Sequence, residues 1–311
     1  MHRVRSSGLL AAAVLGAVAI LPLSSGAFVR LVMPLATQPA GSPFVRVLLD
    51  GSRVHVYPLP QVRAAYAGAM RRDRVEYHGG DVIHHSIPYA IYWRPNGYVM
   101  SAKYQPVIDR FFHDVGTTDQ YDILVQYYDR AGKPQNASTF GGSWVDTTPY
   151  PAKLNDGDFR KEVLKAIAVN GWPKGGIGPV FFIFTASKAP DQFAYCAYHG
   201  NFVSGGRNVI YSPVPYQRDL GPHGCGTPSK VFPNDQAADL TIDTLWHEEA
   251  ESISDPIDAW YSNRTGAEIG DICSTSYGPI GRDGGDTTLH GHRYVTQELW
   301  SNFDNRCVQS E

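Results

Sequence analysis

The chain has no G-x-S-x-G nucleophile elbow, and no glycine-rich loop follows a strand in a way that would cradle phosphate; Gly205-Gly206 and Gly284-Gly285 lack the flanking elements. Covalent serine chemistry and phosphate-loop chemistry therefore lack their usual machinery. No internal repeat is present, and beyond the N-terminus no apolar run is long enough to span a bilayer. Charge of either sign is scarce in excess: 27 basic residues stand against 30 acidic ones, which gives no electrostatic reason to expect nucleic acid or an anionic membrane as partner. Cysteine is limited to Cys196, Cys225, Cys273 and Cys307. An even number in an exported chain favours two disulfides over reactive thiols. Three connectivities are open, and we expect Cys196 with Cys225 and Cys273 with Cys307.

The most local absence is the most informative. Between Val231 and Asn263 there is no Lys or Arg, yet eight carboxylates occur there (Asp235, Asp239, Asp243, Glu248, Glu249, Glu251, Asp255, Asp258) with a single imidazole, His247. Like charges three or four apart on a helix repel by a few tenths of a kcal/mol per pair. The imbalance asks for a cation.

What is present starts with a secretory signal over residues 1–27. His2, Arg3 and Arg5 form a basic start, an apolar stretch runs from Gly8 to about Leu23, and Ser25-Gly26-Ala27 is a small-residue cleavage site. A single membrane anchor is the competing reading, but the stretch is short and contains Pro22. No stable anchor is expected after cleavage. Residues 28–80 show no sustained period and read as a loosely structured leader. Residues 81–311 read as one α/β domain.

Within that domain, strands are expected over 87–93, 121–129, 180–185 and 208–214, and helices over 102–113 and 158–170. The stretch 200–230, rich in Gly and Pro, reads as a long loop. Alternating strands and helices predict an α/β fold: a single layered domain with a central mixed or mostly parallel sheet flanked by helices. A metalloprotease-like acidic helix should run from about Asp235 to Ser254, since Pro256 disfavours helix beyond it. Its apolar stripe (Ala238, Ile242, Leu245, Trp246, Ala250, Ile253) should pack on the sheet, leaving His247, Glu251 and Asp255 to face a cleft or water.

H-E-x-x-E at 247–251 has the shape of a zincin signature with Glu in place of the second His. His247 and Glu251 would be zinc ligands one turn apart, Glu268 or Asp271 from the downstream G-A-E-I-G-D-I-C would complete the set, and Glu248 would act as general base. His199 in C-A-Y-H-G could add an imidazole, although an ordinary role at a disulfide-pinned turn fits its context better. Tyr261 could stabilise an oxyanion. Calcium is the alternative metal, because Glu251, Asp255, Glu268 and Asp271 offer hard oxygen ligands. The plain alternative is an exposed acidic helix without metal, with Glu268 and Asp271 capping a turn held by Cys273. His84, His85, His290 and His292 read as exposed and unrelated.

With these motifs (H-E-E-A-E-S-I-S-D-P, A-W-Y and G-A-E-I-G-D-I-C, together with I-Y-W at 91–93, W-V-D-T at 144–147, F-F-I-F-T-A at 181–186, C-A-Y-H-G and Cys307), residues 87–307 resemble a family of exported bacterial and fungal proteins. That family is distantly related to the plant phosphate-induced, EXORDIUM-like proteins. Ser252, Ser254 and Glu249 depart from its helix pattern, and the plant relatives lack the His-Glu pair. The resemblance implies secretion and an extracellular or cell-wall setting, with any catalysis resting on residues the plant branch lost. The expectation is a secreted zinc-dependent hydrolase, most plausibly a metallopeptidase acting on a peptide or other extracellular substrate. A non-catalytic, calcium-binding extracellular protein is the alternative. Substrate and oligomeric state stay open.

Overall fold

The computed structural model describes residues 41–70, 72–191 and 195–311. The expected signal segment and the first part of the expected leader lie outside the described residues. Residues 41–80, expected to be loose, instead carry ordered elements: β1 (Val45–Val47), β2 (Arg53–Pro58), helix α1 (Pro60–Met70) and β3 (Glu76–Tyr77). The reason is visible in R-V-H-V-Y-P, where Val54 and Val56 enter one core cluster while His55 and Tyr57 fall on the other face. The alternation is too short to stand out from the Pro- and Gly-rich text around it.

The chain continues through β4 (Ile87–Trp93), α2 (Tyr104–Asp114), the short α3 (Asp119–Asp122), β5 (Gly142–Asp146), α4 (Asp156–Asn170), β6 (Pro179–Thr185), β7 (Tyr195–Ser204), β8 (Arg207–Val214) and α5 (Gln236–Ser254). It ends with β9 (Trp260–Tyr261), α6 (Ile269–Ile272) and two small ribbons, β10 (Thr287–Leu289) with β11 (His292–Tyr294) and β12 (Leu299–Ser301) with β13 (Arg306–Val308). Seven strands form one mixed sheet in the order β1-β2-β7-β8-β6-β4-β5. The β8-β6-β4-β5 half is parallel, and the β1-β2-β7-β8 half is antiparallel. Helices cover both faces, as an α/β domain requires.

The pleat sorts the core. Tyr89, Ile91, Trp93, Phe181 and Ile183 point to one face and pack with Phe159, Val163, Ala166 and Ile167 of α4. Ala90, Tyr92, Phe182 and Phe184 point to the other and pack with α2 and α5. The expected strand at 121–129 is instead α3 followed by a 3-10 turn over Ile123–Gln126, with the Thr118 hydroxyl accepting from the Tyr121 N–H at 3.1 Å. A short apolar run suits a buried helical turn as well as a strand, and here the cap decides. Part of the expected loop at 200–230 is a hairpin: Gly205 and Gly206, at φ +56° and +77°, make the two-residue turn between β7 and β8 that only left-handed backbone permits. His199 consequently lies in a strand and not at a turn.

Helix α5 starts where Asp235 accepts from the Ala238 N–H at 3.1 Å and stops before Pro256. Its placement corrects the amphipathic expectation. All residues from Ala237 to Ser254 are buried, the acidic side included. The apolar stripe meets α2 and the sheet, and the acidic side is closed by β2, β7 and α6, not left to water.

The disulfides are Cys196–Cys225 and Cys273–Cys307, each with Cα atoms 5.7 Å apart. The first ties β7 to the loop before α5, and the second ties the end of α6 to β13. Two disulfides fit an exported, oxidising setting. Among the described residues no helix is long and apolar enough to cross a membrane.

Candidate metal centre

The register of the antiparallel half decides which side chains meet α5. His55 of β2 pairs directly with His199 of β7, so both imidazoles leave the same face of the sheet and stack at 5.0 Å between centroids. Tyr57, two residues on, stacks on His247 of α5 at 3.7 Å. Helix periodicity puts His247, Glu248, Glu251 and Asp255 on the side of α5 that meets these strands, and α6 adds Glu268 and Asp271 from beyond the helix. Three histidines and five carboxylates are thereby gathered in the interior, each at most 6% exposed. No Lys or Arg pairs with any of these five carboxylates among the described residues. Arg63, whose charge reaches the group, is spent on the carbonyl oxygens of Pro58 and Cys225.

His247 shows most plainly what the group is arranged for. Gln297 donates its amide nitrogen to the Gly270 carbonyl at 2.7 Å, which fixes its Oε1 as an acceptor 3.2 Å from His247 Nδ1. The imidazole N–H therefore sits on Nδ1. Its other nitrogen, Nε2, carries the lone pair and faces Glu251 Oε2 at 3.0 Å and Asp271 Oδ1 at 3.7 Å. A lone pair aimed at two carboxylate oxygens repels them unless a cation or a proton lies between. Burial lowers His247 to about 4, so the ring itself is neutral.

Glu251 is oriented for the same purpose. Its Oε1 accepts from the Gly270 and Asp271 N–H groups at 3.0 and 2.9 Å, leaving Oε2 to the imidazole. The approach of α6 needs glycine, because a Cβ on Gly270 would lie 2.7 Å from His247 Nδ1 and 2.9 Å from Glu251 Oε1. Burial pushes Glu251 up to about 8 against the two backbone N–H groups it accepts from, and burial with the neighbouring carboxylates raises Glu248, Glu268 and Asp271 well above the carboxylate range. As ions they need a partner this interior does not supply from protein cations.

His199 has acceptors at both nitrogens: Nδ1 lies 3.3 Å from Glu248 Oε2, and Nε2 lies 3.3 Å from the Asp255 carbonyl and 3.6 Å from Glu268 Oε1. Burial and the nearby His55 hold it well below its ordinary value, so it is neutral and has one N–H to offer two directions. Three sets (His247/Glu251/Asp271, His199/Glu248/Glu251 and His55/His199/Glu268) each bring one ligand atom per residue within 4.8 Å of the others. Tetrahedral metal bonds of about 2.0–2.2 Å put ligand atoms about 3.3–3.6 Å apart, so separations within 4.8 Å close on an ion by movements of up to about 1.5 Å. These buried clusters of His, Glu and Asp could hold a metal ion.

The other residues singled out from sequence fall as follows. Glu248 lies among the ligand atoms, with Oε2 toward His199 and Oε1 without a hydrogen-bond partner. Asp255 accepts from the Ala259 N–H, closing the turn after α5, and its Oδ2 is unpartnered. Tyr261 stacks on His78 at 3.7 Å, and burial with the Asp258, Asp255 and Glu268 carboxylates raises its phenol. His84, His85, His290 and His292 bond elsewhere, to Asp129, Thr139, Gly116 and Asp114. Sequence reasoning missed His55, hidden in the supposed leader, and Gln297. The polar residue breaking the apolar pattern of β2 was the one available signal for His55; nothing local marks Gln297.

Comparison of the chain with family models, with curated proteins and with solved structures found no match.

Proposed function

We propose that this chain is a secreted zinc-dependent hydrolase, most plausibly a peptidase, of the exported family its motifs resemble. The observation that supports it is the His247 geometry: a neutral imidazole held through Nδ1 by Gln297, with its Nε2 lone pair turned on Glu251 and Asp271. Metal-ligating histidines are held in this way by an oxygen on the second nitrogen. Imidazoles favour zinc over calcium, which takes oxygen ligands.

A divalent ion here would supply Lewis acidity and lower the pKa of a bound water toward neutrality. Glu248, whose Oε1 has no hydrogen-bond partner, would be the carboxylate placed to accept a proton there. His247, Glu251 and Asp271 would hold the ion, and Gln297 and the α6 backbone hold these side chains in place.

A second reading, a non-catalytic extracellular protein with a structural metal, is favoured by one observation: the ligands are almost wholly buried, as in closed structural sites. Elemental analysis of the purified full chain, with turnover of a fluorescence-quenched peptide library, separates the two. Bound zinc that falls by one equivalent in His247→Ala, with Glu248→Gln keeping metal but losing turnover, supports the hydrolase. Zinc without turnover in the wild type supports the structural reading, and protein that takes up no zinc overturns both.

A further inference from the structure

The proposed zinc at His247 accounts for only part of the buried charge. Five carboxylates (Glu248, Glu251, Asp255, Glu268, Asp271) share this interior, and one divalent ion leaves three of them unanswered. The unanswered ones lie on the sheet side. Both Glu268 carboxylate oxygens, Asp255 Oδ2 and His55 Nδ1 are buried without a well-aligned hydrogen bond. They converge: His55 Nδ1 is 2.9 Å from Glu268 Oε2 and 3.7 Å from Asp255 Oδ2, and His199 Nε2 is 3.6 Å from Glu268 Oε1.

From this convergence we propose a second divalent-metal site, held by His55, His199 and Glu268 with Asp255 at its edge, which makes the centre dinuclear. The proposal extends the zinc reading above and adds an ion to it. His199 would mirror His247: Nε2 turns to the ion while the Nδ1–H donates to Glu248 Oε2, the carboxylate–histidine arrangement that fixes a ligating ring. The set His199/Glu248/Glu251 lies between the two ions and joins them into one run of donors. Two divalent ions bring four positive charges against five carboxylates, which leaves Glu248 free to carry a proton.

The two ions differ in access. A cleft of about 480 Å³, lined by Arg53, His55, Gly200, Pro256 and Asp258, reaches the centre at His55. His247 and Asp271 do not line it. The outer ion is thus the one that solvent and substrate meet, and the inner ion holds α5 to α6. Paired ions in hydrolases stabilise the attacking and leaving oxygens together.

The test is metal titration of the full-length, disulfide-intact chain after chelation, with Zn²⁺ as probe and bound metal read by elemental analysis, together with magnetic susceptibility of the Co²⁺-loaded protein. We expect two equivalents in the wild type, one in His55→Gln and one in His247→Ala, with antiferromagnetic coupling of Co²⁺ lost in each variant. Far-UV circular dichroism checks folding, and the susceptibility of the wild type tests the pair without any variant. One equivalent in the wild type, lost in His247→Ala and kept in His55→Gln, overturns the outer site and leaves the zinc reading intact. No bound metal overturns both.

Discussion

The two faces of the sheet each bury acids, and they answer them in opposite ways. On the α4 face Asp146 and Glu162 stand together, and Lys165 of α4 reaches them at 2.5 and 3.6 Å. On the α5 face five carboxylates share an interior with three imidazoles and, among the described residues, no lysine or arginine partner. The first arrangement is self-sufficient, because a protein cation one helical turn away supplies the charge and stays partly solvated. The second has no such cation and could hold a metal ion. Its unpartnered oxygens and the lone pair of His247 are what a metal site looks like from the protein's side.

The largest effect that would break this contrast is chelation. Structural zinc contributes on the order of 10 kcal/mol to small metal-dependent folds. Stripping metal from this chain should lower its thermal midpoint by more than 10 °C by calorimetry, while Lys165→Met in the same assay should leave metal content unchanged. An unshifted midpoint after verified metal removal would mean that protons alone neutralise the α5 face.

Next in size is Gly270→Ala. The added Cβ would fall inside contact distance of both His247 Nδ1 and Glu251 Oε1, so α6 must retreat and the inner ligand set opens. We expect at least a 100-fold loss of zinc affinity, measured by competition with a chromophoric chelator. Gln297→Leu removes both the oxygen that holds His247 Nδ1 and the amide that ties this side chain to the Gly270 carbonyl, and a loss of about 10- to 100-fold is expected in the same competition. An affinity unchanged in Gln297→Leu would show that the His247 tautomer is set by something else.

How much of this was legible in the sequence follows from the same contrast. The acidic helix announced itself, because eight carboxylates without a cation are visible at a glance and the helix period places His247 and Glu251 one turn apart. The class of fold was legible too, since strands such as V-F-F-I-F-T and the amphipathic helix at Tyr104–Asp114 carry strong local patterns. His55 was not, because its place depends on a strand pairing with a partner 144 residues away, His199, and pairing across a sheet leaves no local mark. The burial of the acidic side was misjudged for a related reason. Helix periodicity separates two faces but does not say that a second layer, here β2, β7 and α6, closes over the polar one. Glu249 illustrates the limit: helix period places it near the apolar stripe, and it does lie buried, by the Ser138 hydroxyl at 3.4 Å with burial pushing it up to about 8, but nothing in the sequence pointed to that partner.

The α4 face gives the smaller tests. Lys165→Met leaves Asp146 and Glu162 without their cation, and since Lys165 is partly exposed the cost should be about 1–2 kcal/mol by denaturant titration at pH 7. Glu162→Gln should show the smallest change and the most distinctive one. Burial, with Asp146 beside it, pushes Glu162 from 4.5 up to about 8, so the folded protein keeps this proton where the unfolded chain releases it. Between pH 4.5 and 8 the unfolded state therefore binds fewer protons, and the contribution of Glu162 to stability declines as pH rises through that window, then levels off above it. Glutamine keeps a donor for Asp146 and does not titrate. The variant should match the wild type near pH 4.5 and exceed it by about 1 kcal/mol at pH 8.5, a figure already discounted for the water that reaches Lys165. A difference between the two that stays constant from pH 4.5 to 8.5 would show that Glu162 is ionised in the folded state, with Lys165 answering both acids.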